Sequence, residues 1–222
     1  MASILKVRGI ERLSTAELKA LVSTAKMLNI NPDWLATVIS FESAGSFSPS
    51  KLNAAGSGAF GLIQFMPWVA RNILGTATDA QAAAIGKAMS FTEQLQRMVI
   101  PYFKGRTMRS LEDVYLQVFY PAAAGKPDDW VVAREGSAVY RQNAGFDKAK
   151  KGWITRRDIT STIRAVADAA NGARIQVGSV ALEIVGSLAA CAAIFFGYQR
   201  YWKTGKIQAA ARPVIEKVKD IV

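Results

Sequence analysis

One glutamate in this sequence is placed for acid–base chemistry. Leu35, Val38, Ile39 and Glu42 stand at i, i+3, i+4 and i+7 behind the helix start Asn31-Pro32-Asp33, so they share one helix face. The first three are apolar, and Glu42 therefore ends a buried stripe, with Ser43-Ala44-Gly45 stopping the helix behind it. Burial disfavours the charged carboxylate and raises its pKa. The negative end of the helix dipole pushes the same way. A carboxylic acid still protonated near neutral pH, at the lip of a loop, meets the requirement for a general acid. The plainer reading of such a position is an ion-paired Glu, or one turned to solvent. Beyond a Gly-, Ser- and Ala-rich stretch comes Gly56-Ser57-Gly58-Ala59-Phe60-Gly61-Leu62-Ile63-Gln64-Phe65-Met66-Pro67. Its small residues allow close approach of backbone to a ligand. Gln64 offers donors and an acceptor to a polar substrate. The run lacks a Lys-Ser/Thr ending and is not a phosphate-binding P-loop.

The rest of the composition narrows the chemistry. The 222 residues include no histidine and a single cysteine, Cys191. That removes imidazole-based triads, imidazole metal ligands, thiolate zinc cages and an intrachain disulfide. The first acid after Glu42 is Asp79, so the intervening loop supplies no second carboxylate. The net charge of +11 favours anionic partners such as a cell envelope, a membrane surface or nucleic acid. No long basic run is present, and a generally basic, soluble surface explains the excess equally well.

Helices must position these residues. Ser14-Thr15-Ala16-Glu17 has the capping-box pattern, and Ser90-Phe91-Thr92-Glu93 and Ser110-Leu111-Glu112-Asp113 repeat it. Thr155 precedes a helix carrying Ile159, Ile163 and Val166, which ends near Asn171-Gly172. Strand-like alternation is scarce, and the clearest non-helical region runs from Ser43 to about Gly61. The predicted fold class is mainly α. After Gly172 the composition shifts, and Val177 to Tyr198 is apolar or small apart from Glu183 and two serines. Such a run is long enough to cross a bilayer, which takes roughly 20 apolar residues. Tyr198, Tyr201, Trp202 and nearby Lys and Arg form an aromatic and basic edge. A buried Ala-rich core helix is the alternative. The expected organisation is a helical domain over 1–172, a hydrophobic helix over 173–206 with a transmembrane span as one of its two readings, and a basic amphipathic tail over 207–222. The start of the chain, MASILKVRGIERL, lacks an apolar stretch of secretory-signal length.

Glu42-Ser43, a loop, then Gly61-Leu62-Ile63-Gln64 and Pro67 resemble the lytic transglycosylase and goose-type lysozyme superfamily. Its first motif is Glu-Ser at a helix end and its second is Gly-Leu-Met-Gln followed by Pro; Ile63 takes the Met position here. The family's third motif, Ala-Tyr-Asn-Ala-Gly, is best matched by Tyr120-Pro121-Ala122-Ala123-Ala124-Gly125, with Pro121 in the Asn position. Tyr115 and Asn143-Ala144-Gly145 are weaker matches. The stretch Leu111 to Trp130 is similar to phage-encoded members. The resemblance implies a lysozyme-like fold and a catalytic Glu42. It also implies that Ser43 bonds near the acid, and that Gly61, Gln64 and Tyr120 contact the sugar. No cofactor or metal is implied. A second phage-like feature is Asp147 to Asp158, with Asp147, Gly152, Ile154 and Asp158 at positions 1, 6, 8 and 12 of an EF-hand loop. Positions 3 and 5 are Ala149 and Lys151, which lack the oxygens that Ca²⁺ takes, so a lysine is expected to replace the metal's charge.

The expected function is cleavage of the bond between N-acetylmuramic acid and N-acetylglucosamine in peptidoglycan. The expected setting is a phage virion delivering the enzyme to the bacterial envelope, with residues 177–206 reaching a membrane or other virion proteins. A non-catalytic virion or membrane protein on the same fold is the alternative. A DNA-binding helical protein is a third reading, resting on charge alone, and nucleic acid is not the expected partner.

Overall fold

The computed structural model describes residues 2–178, and the expected hydrophobic segment from residue 179 onward and the 207–222 tail lie outside them. Those described residues are mainly helical. Among them no helix is long and apolar enough to cross a membrane.

The helix that matters most is α2 (Pro32–Glu42). The Asn31 carboxamide accepts a hydrogen bond from the Asp33 amide at 2.9 Å, and Pro32 occupies the first helical position, where a missing N–H is harmless. Leu35, Ala36, Val38 and Ile39 are wholly buried. Around α2 pack α1 (Thr15–Met27), α7 (Leu111–Phe119), α9 (Arg156–Asp168) and the strand β1 (Ala2–Leu5). A second group comprises α3 (Pro67–Leu74), α4 (Asp79–Ala88), α5 (Phe91–Gln94) and α6 (Ile100–Phe103). A widened π turn, Leu95–Val99, joins α5 to α6. Pro101 has no N–H for the Arg97 carbonyl and its ring crowds that carbonyl, which favours a wider turn there. The capping boxes at Ser14, Ser90 and Thr155 all form.

Ser110 departs from that pattern. Its hydroxyl accepts from the Asp113 amide at 3.2 Å, but the Asp113 carboxylate does not return to the cap. It accepts instead from the Arg109 and Gly125 amides and from Arg156 at 3.1 Å. Arg156 is buried and also meets Asp128, while Arg164 pairs with Glu112 and Asp128. These pairs clamp α7 against α9. The charges hold one another in a partly dehydrated seam, where loss of a single partner is strongly destabilising.

Two small antiparallel sheets were not visible in the sequence. β1 pairs with β4 (Arg174–Gly178), with Ile4 opposite Ile175 and Leu5 opposite Arg174. Residues 173–178, expected at the start of the hydrophobic helix, instead close the helical body. Val177 is buried in its core, and the Arg174 guanidinium reaches Asp33 at 2.9 Å and the Ser3 hydroxyl at 2.9 Å. The other Asp33 oxygen accepts the Leu5 amide at 2.8 Å, so one acid fastens both chain segments to the start of α2.

β2 (Val131–Arg134) pairs with β3 (Trp153–Thr155). The helix α8 (Ala138–Asn143) and the Asp147–Asp158 loop lie within this unit. Asp147 accepts the Lys151 and Gly152 amides and the Tyr140 hydroxyl. Lys151, at loop position 5, puts its ammonium 2.7 Å from Asp158 at position 12. A side-chain cation thus sits on the carboxylate that would otherwise ligate Ca²⁺. Lys151→Ala is expected to lower stability by about 1 kcal/mol, given the pair's partial exposure. Added Ca²⁺ should not restore the melting temperature; restoration by millimolar Ca²⁺ would contradict the ammonium's role.

Candidate functional site

Glu42 is the last residue of α2, and the chain behind it is tightly held. The Ser43 hydroxyl donates to the Ile39 carbonyl at 2.7 Å and accepts the Phe47 amide at 3.0 Å. Ala44 and Gly45 take left-handed φ values of 53° and 75°, turning the chain away from the helix axis. The Ser40 hydroxyl donates to the Arg8 carbonyl at 2.7 Å. Gly9 sits so close that a Cβ there would lie 1.8 Å from the Gly45 oxygen, and its φ is 85°. Only glycine fits that approach.

The Glu42 side chain is half-buried and makes no hydrogen bond or ion pair among the described residues. Burial pushes its pKa up to about 7. No neighbouring charge contributes to that shift, so desolvation alone sets it. The buried stretch Leu35–Ser40 behind the carboxyl and the tight turn after it limit the water that can solvate its charged form.

Tyr115 is the electrostatic neighbour of Glu42. It is buried, and its hydroxyl is pushed well above the ordinary tyrosine range, first by burial and then by the Glu42 charge. Phe41 meets the Tyr115 ring edge-on at 5.4 Å, and Phe119 stacks on it at 5.7 Å. Phe146 contacts Phe119 at 5.5 Å. A row of aromatic rings therefore runs from Tyr115, beside Glu42, outward to Phe119, which is exposed. Tyr120 lies one residue past the end of α7, half-buried and off the Tyr115–Phe119 face, where its amide closes the helix on the Leu116 carbonyl. Pro121 opens a short 3-10 turn, Pro121–Ala123. Asn143 donates to the Val139 carbonyl, and the turn after it carries Phe146 to the aromatic row.

The Gly-Leu-Ile-Gln segment forms a tight turn stapled by a residue the sequence reading did not single out. Gln94 is wholly buried. Its Oε1 accepts the Leu62 amide at 2.8 Å, and its Nε2 donates to the Gly86 carbonyl at 2.8 Å and the Pro49 carbonyl at 3.1 Å. A Cβ on Gly61 would come within 2.5 Å of that same Oε1, and φ there is 83°. Gly61 is thus buried against the staple and shapes the turn. Gln64, also left-handed at φ 54°, donates from Nε2 to the Gly61 and Lys51 carbonyls. Its Oε1 accepts no hydrogen bond among the described residues. Gln64 lines a groove of about 260 Å³ with Trp68, Tyr102, Val118 and Pro121; Glu42 and Tyr115 do not line it.

The structure therefore leaves Glu42, the Gln64 side-chain carbonyl and the Tyr120 hydroxyl without hydrogen-bond partners among the described residues. It gives Ser43 and Gly61 backbone-shaping roles. Among the described residues no group of His, Cys, Asp and Glu could hold a metal ion. Compared with known family models, curated proteins and solved structures, the chain matches none.

The raised pKa has a stability consequence. Folded Glu42 holds its proton up to about pH 7, against an ordinary value of 4.5. The associated stabilisation is complete below about pH 4.5 and is lost as pH rises through about 7, by up to about 3 kcal/mol. Glu42→Gln, neutral at every pH, should melt several degrees above the parent at pH 8.5 and close to it at pH 4.5. Parallel melting curves at both pH values would show that Glu42 is not desolvated.

Proposed function

We propose that this protein cleaves the glycosidic bond between N-acetylmuramic acid and N-acetylglucosamine in peptidoglycan, as a member of the lytic transglycosylase and goose-type lysozyme superfamily with a lysozyme-like fold. The observation that carries the reading is Glu42: a carboxyl held protonated by burial alone, at a helix end, followed by the Gly61-Leu62-Ile63-Gln64 turn. A general acid needs a pKa near the working pH, and this one has it. A phage virion that delivers the enzyme to the bacterial envelope is the proposed setting, with peptidoglycan glycan strands as the partner.

Glu42 donates its proton to the oxygen linking the two sugars, and the glycosidic C–O bond breaks as that oxygen leaves as a hydroxyl. The substrate's own acetamido oxygen stabilises the cationic carbon, which removes the need for a second carboxylate. Glu42, now a carboxylate, takes the proton from the C6 hydroxyl, whose oxygen closes on the cationic carbon. The product is a 1,6-anhydro sugar, and Glu42 returns to its starting form. Activation of water in place of the C6 hydroxyl gives hydrolysis and a reducing end. Tyr115 supports the cycle by sitting beside the carboxylate that forms in it. The Gln64 carbonyl has a free acceptor for a sugar hydroxyl or amide.

The second reading is a non-catalytic virion or membrane protein on the same fold. It is favoured by one observation: Glu42 does not line the groove formed by Gln64, Trp68, Tyr102 and Val118.

Digestion of purified peptidoglycan, with mass spectrometry of the products, separates the two. Anhydro ends are expected, reducing ends mean a muramidase, and no products mean the non-catalytic reading. Glu42→Gln should lose at least about a thousandfold in kcat. In the parent, kcat/KM should fall as pH rises above about 7, because the acid form is consumed. Tyr115→Phe should cut kcat about tenfold or more and shift that pH limb, whereas Tyr120→Phe should act mainly on KM. The reverse pattern would move the tyrosine that supports the acid to position 120.

A further inference from the structure

The groove beside Gln64 encloses about 260 Å³, small against the roughly 300–1,000 Å³ of pockets that hold a drug-sized ligand. It suits one ring rather than a chain. Gln64 fixes what that ring must carry. Two carbonyls, of Gly61 and Lys51, face one end of its carboxamide at 3.1 and 3.2 Å, so that end is the nitrogen and both its hydrogens are spent. The oxygen is left as an oriented acceptor with no partner among the described residues. An occupant has to bring an N–H or O–H to it.

Charge narrows the choice further. The oriented carbonyl oxygen disfavours an anion, and no Asp or Glu among the described residues lines the groove to draw a cation. The charged residue there, Arg106, directs its Nε to the Tyr102 carbonyl at 2.7 Å and its Nη1 to the Gln117 carboxamide at 2.8 Å. The aromatic residues along the groove also differ. Phe65 is buried. The Tyr102 ring is met edge-on by Phe65 at 5.9 Å and Phe103 at 5.1 Å, with the Arg106 guanidinium 4.3 Å from its centre. Trp68, half-buried on α3, makes no ring contact, cation contact or hydrogen bond among the described residues. It is the ring left to receive a ligand.

The groove also has a place relative to the acid. Val118, in its wall, stands three residues after Tyr115 on α7, the spacing of neighbours on successive turns. The groove therefore begins one helical turn from the tyrosine beside Glu42.

We propose that this groove binds a single N-acetylglucosamine residue of the glycan strand, stacked on Trp68 with its acetamido N–H donated to the Gln64 oxygen. The inference rests on the reading of the protein as one that acts on peptidoglycan. A pyranose ring has apolar C–H faces and a polar edge, and the acetamido group is neutral and carries the required donor. N-acetylmuramic acid, the other sugar of the strand, bears a lactyl arm for which a one-ring groove has no room.

The test titrates the full chain carrying Glu42→Gln, which leaves oligosaccharides intact, with the β-1,4-linked tetramer of N-acetylglucosamine. Heat and tryptophan emission are followed together. The β-1,4-linked glucose tetramer, which lacks the acetamido group, is the second probe and should bind at least about tenfold more weakly. Adding Trp68→Ala should weaken binding of the acetamido tetramer about tenfold. Trp68→Phe keeps a ring and guards against an alanine variant that fails to fold. It should hold affinity within about threefold yet lose most of the emission change, which a merely structural tryptophan would not contribute. Equal affinity for the two tetramers, undiminished binding by Trp68→Ala, an emission change that survives Trp68→Phe, or no binding by the parent overturns the proposal. Cleavage of peptidoglycan by the unsubstituted chain judges Glu42 separately. No products with Trp68-dependent binding sinks the acid's role and leaves the groove standing, and products with Trp68-independent binding do the reverse.

Discussion

An acid without a partner is the constraint around which this molecule is arranged. Glu42 lies at the end of a helix whose Leu35, Ala36, Val38 and Ile39 are wholly buried, and no side chain among the described residues pairs with its charge. A single cation within a few ångströms would lower its pKa toward the ordinary range and remove its proton at neutral pH. Basic side chains are plentiful here, so their exclusion from this point has to be built. The packing around α2 does that. Leu35, Val38 and Ile39 fill one side, Tyr115 covers another, and the Arg8 backbone rather than its guanidinium is tied to Ser40.

The distant contacts serve the same end. Asp33 fixes the start of α2 by holding both β1 and Arg174 of β4. The Arg156–Asp113 pair fixes α7 and hence the depth of Tyr115. Gln94 fixes the Gly61 turn from the other side of the loop. Each is a polar group satisfied by partners many residues away. Loss of any one leaves buried groups unpaired, which is expensive in a low-dielectric interior. The burial that suppresses the charge on Glu42 lowers stability at alkaline pH, and these long-range anchors offset that loss.

The parts legible in the sequence were those written in local patterns. The α2 start at Asn31-Pro32-Asp33, its end at Ser43 and the i, i+3, i+4, i+7 placement of Glu42 need only neighbouring residues, and the capping boxes likewise. What escaped was non-local. β1 and β4 pair residues 2–5 with 174–178, and strands of four or five residues are too short for alternation to rise above background. Ala173–Gly178 therefore read as the start of an apolar helix. Gln94 gave no sign of its role, because its partners lie at Leu62, Gly86 and Pro49. Tyr115 and Phe119 share a face four residues apart, a spacing that could have marked Tyr115 as the inward ring of α7.

The net charge is a poor guide to this surface until it is divided by use. Arg156, Arg164, Arg174 and Lys151 are structural, each neutralised by a named acid. Half-buried Asp128 meets three arginines at once, Arg156, Arg157 and Arg164. Lack of a partner marks no single site: Lys6, Arg8, Lys19, Lys26, Lys51, Lys87 and Lys148 are alike in having no side-chain hydrogen bond or ion pair among the described residues. The consequence of the excess is a general attraction for anionic partners rather than a localised field.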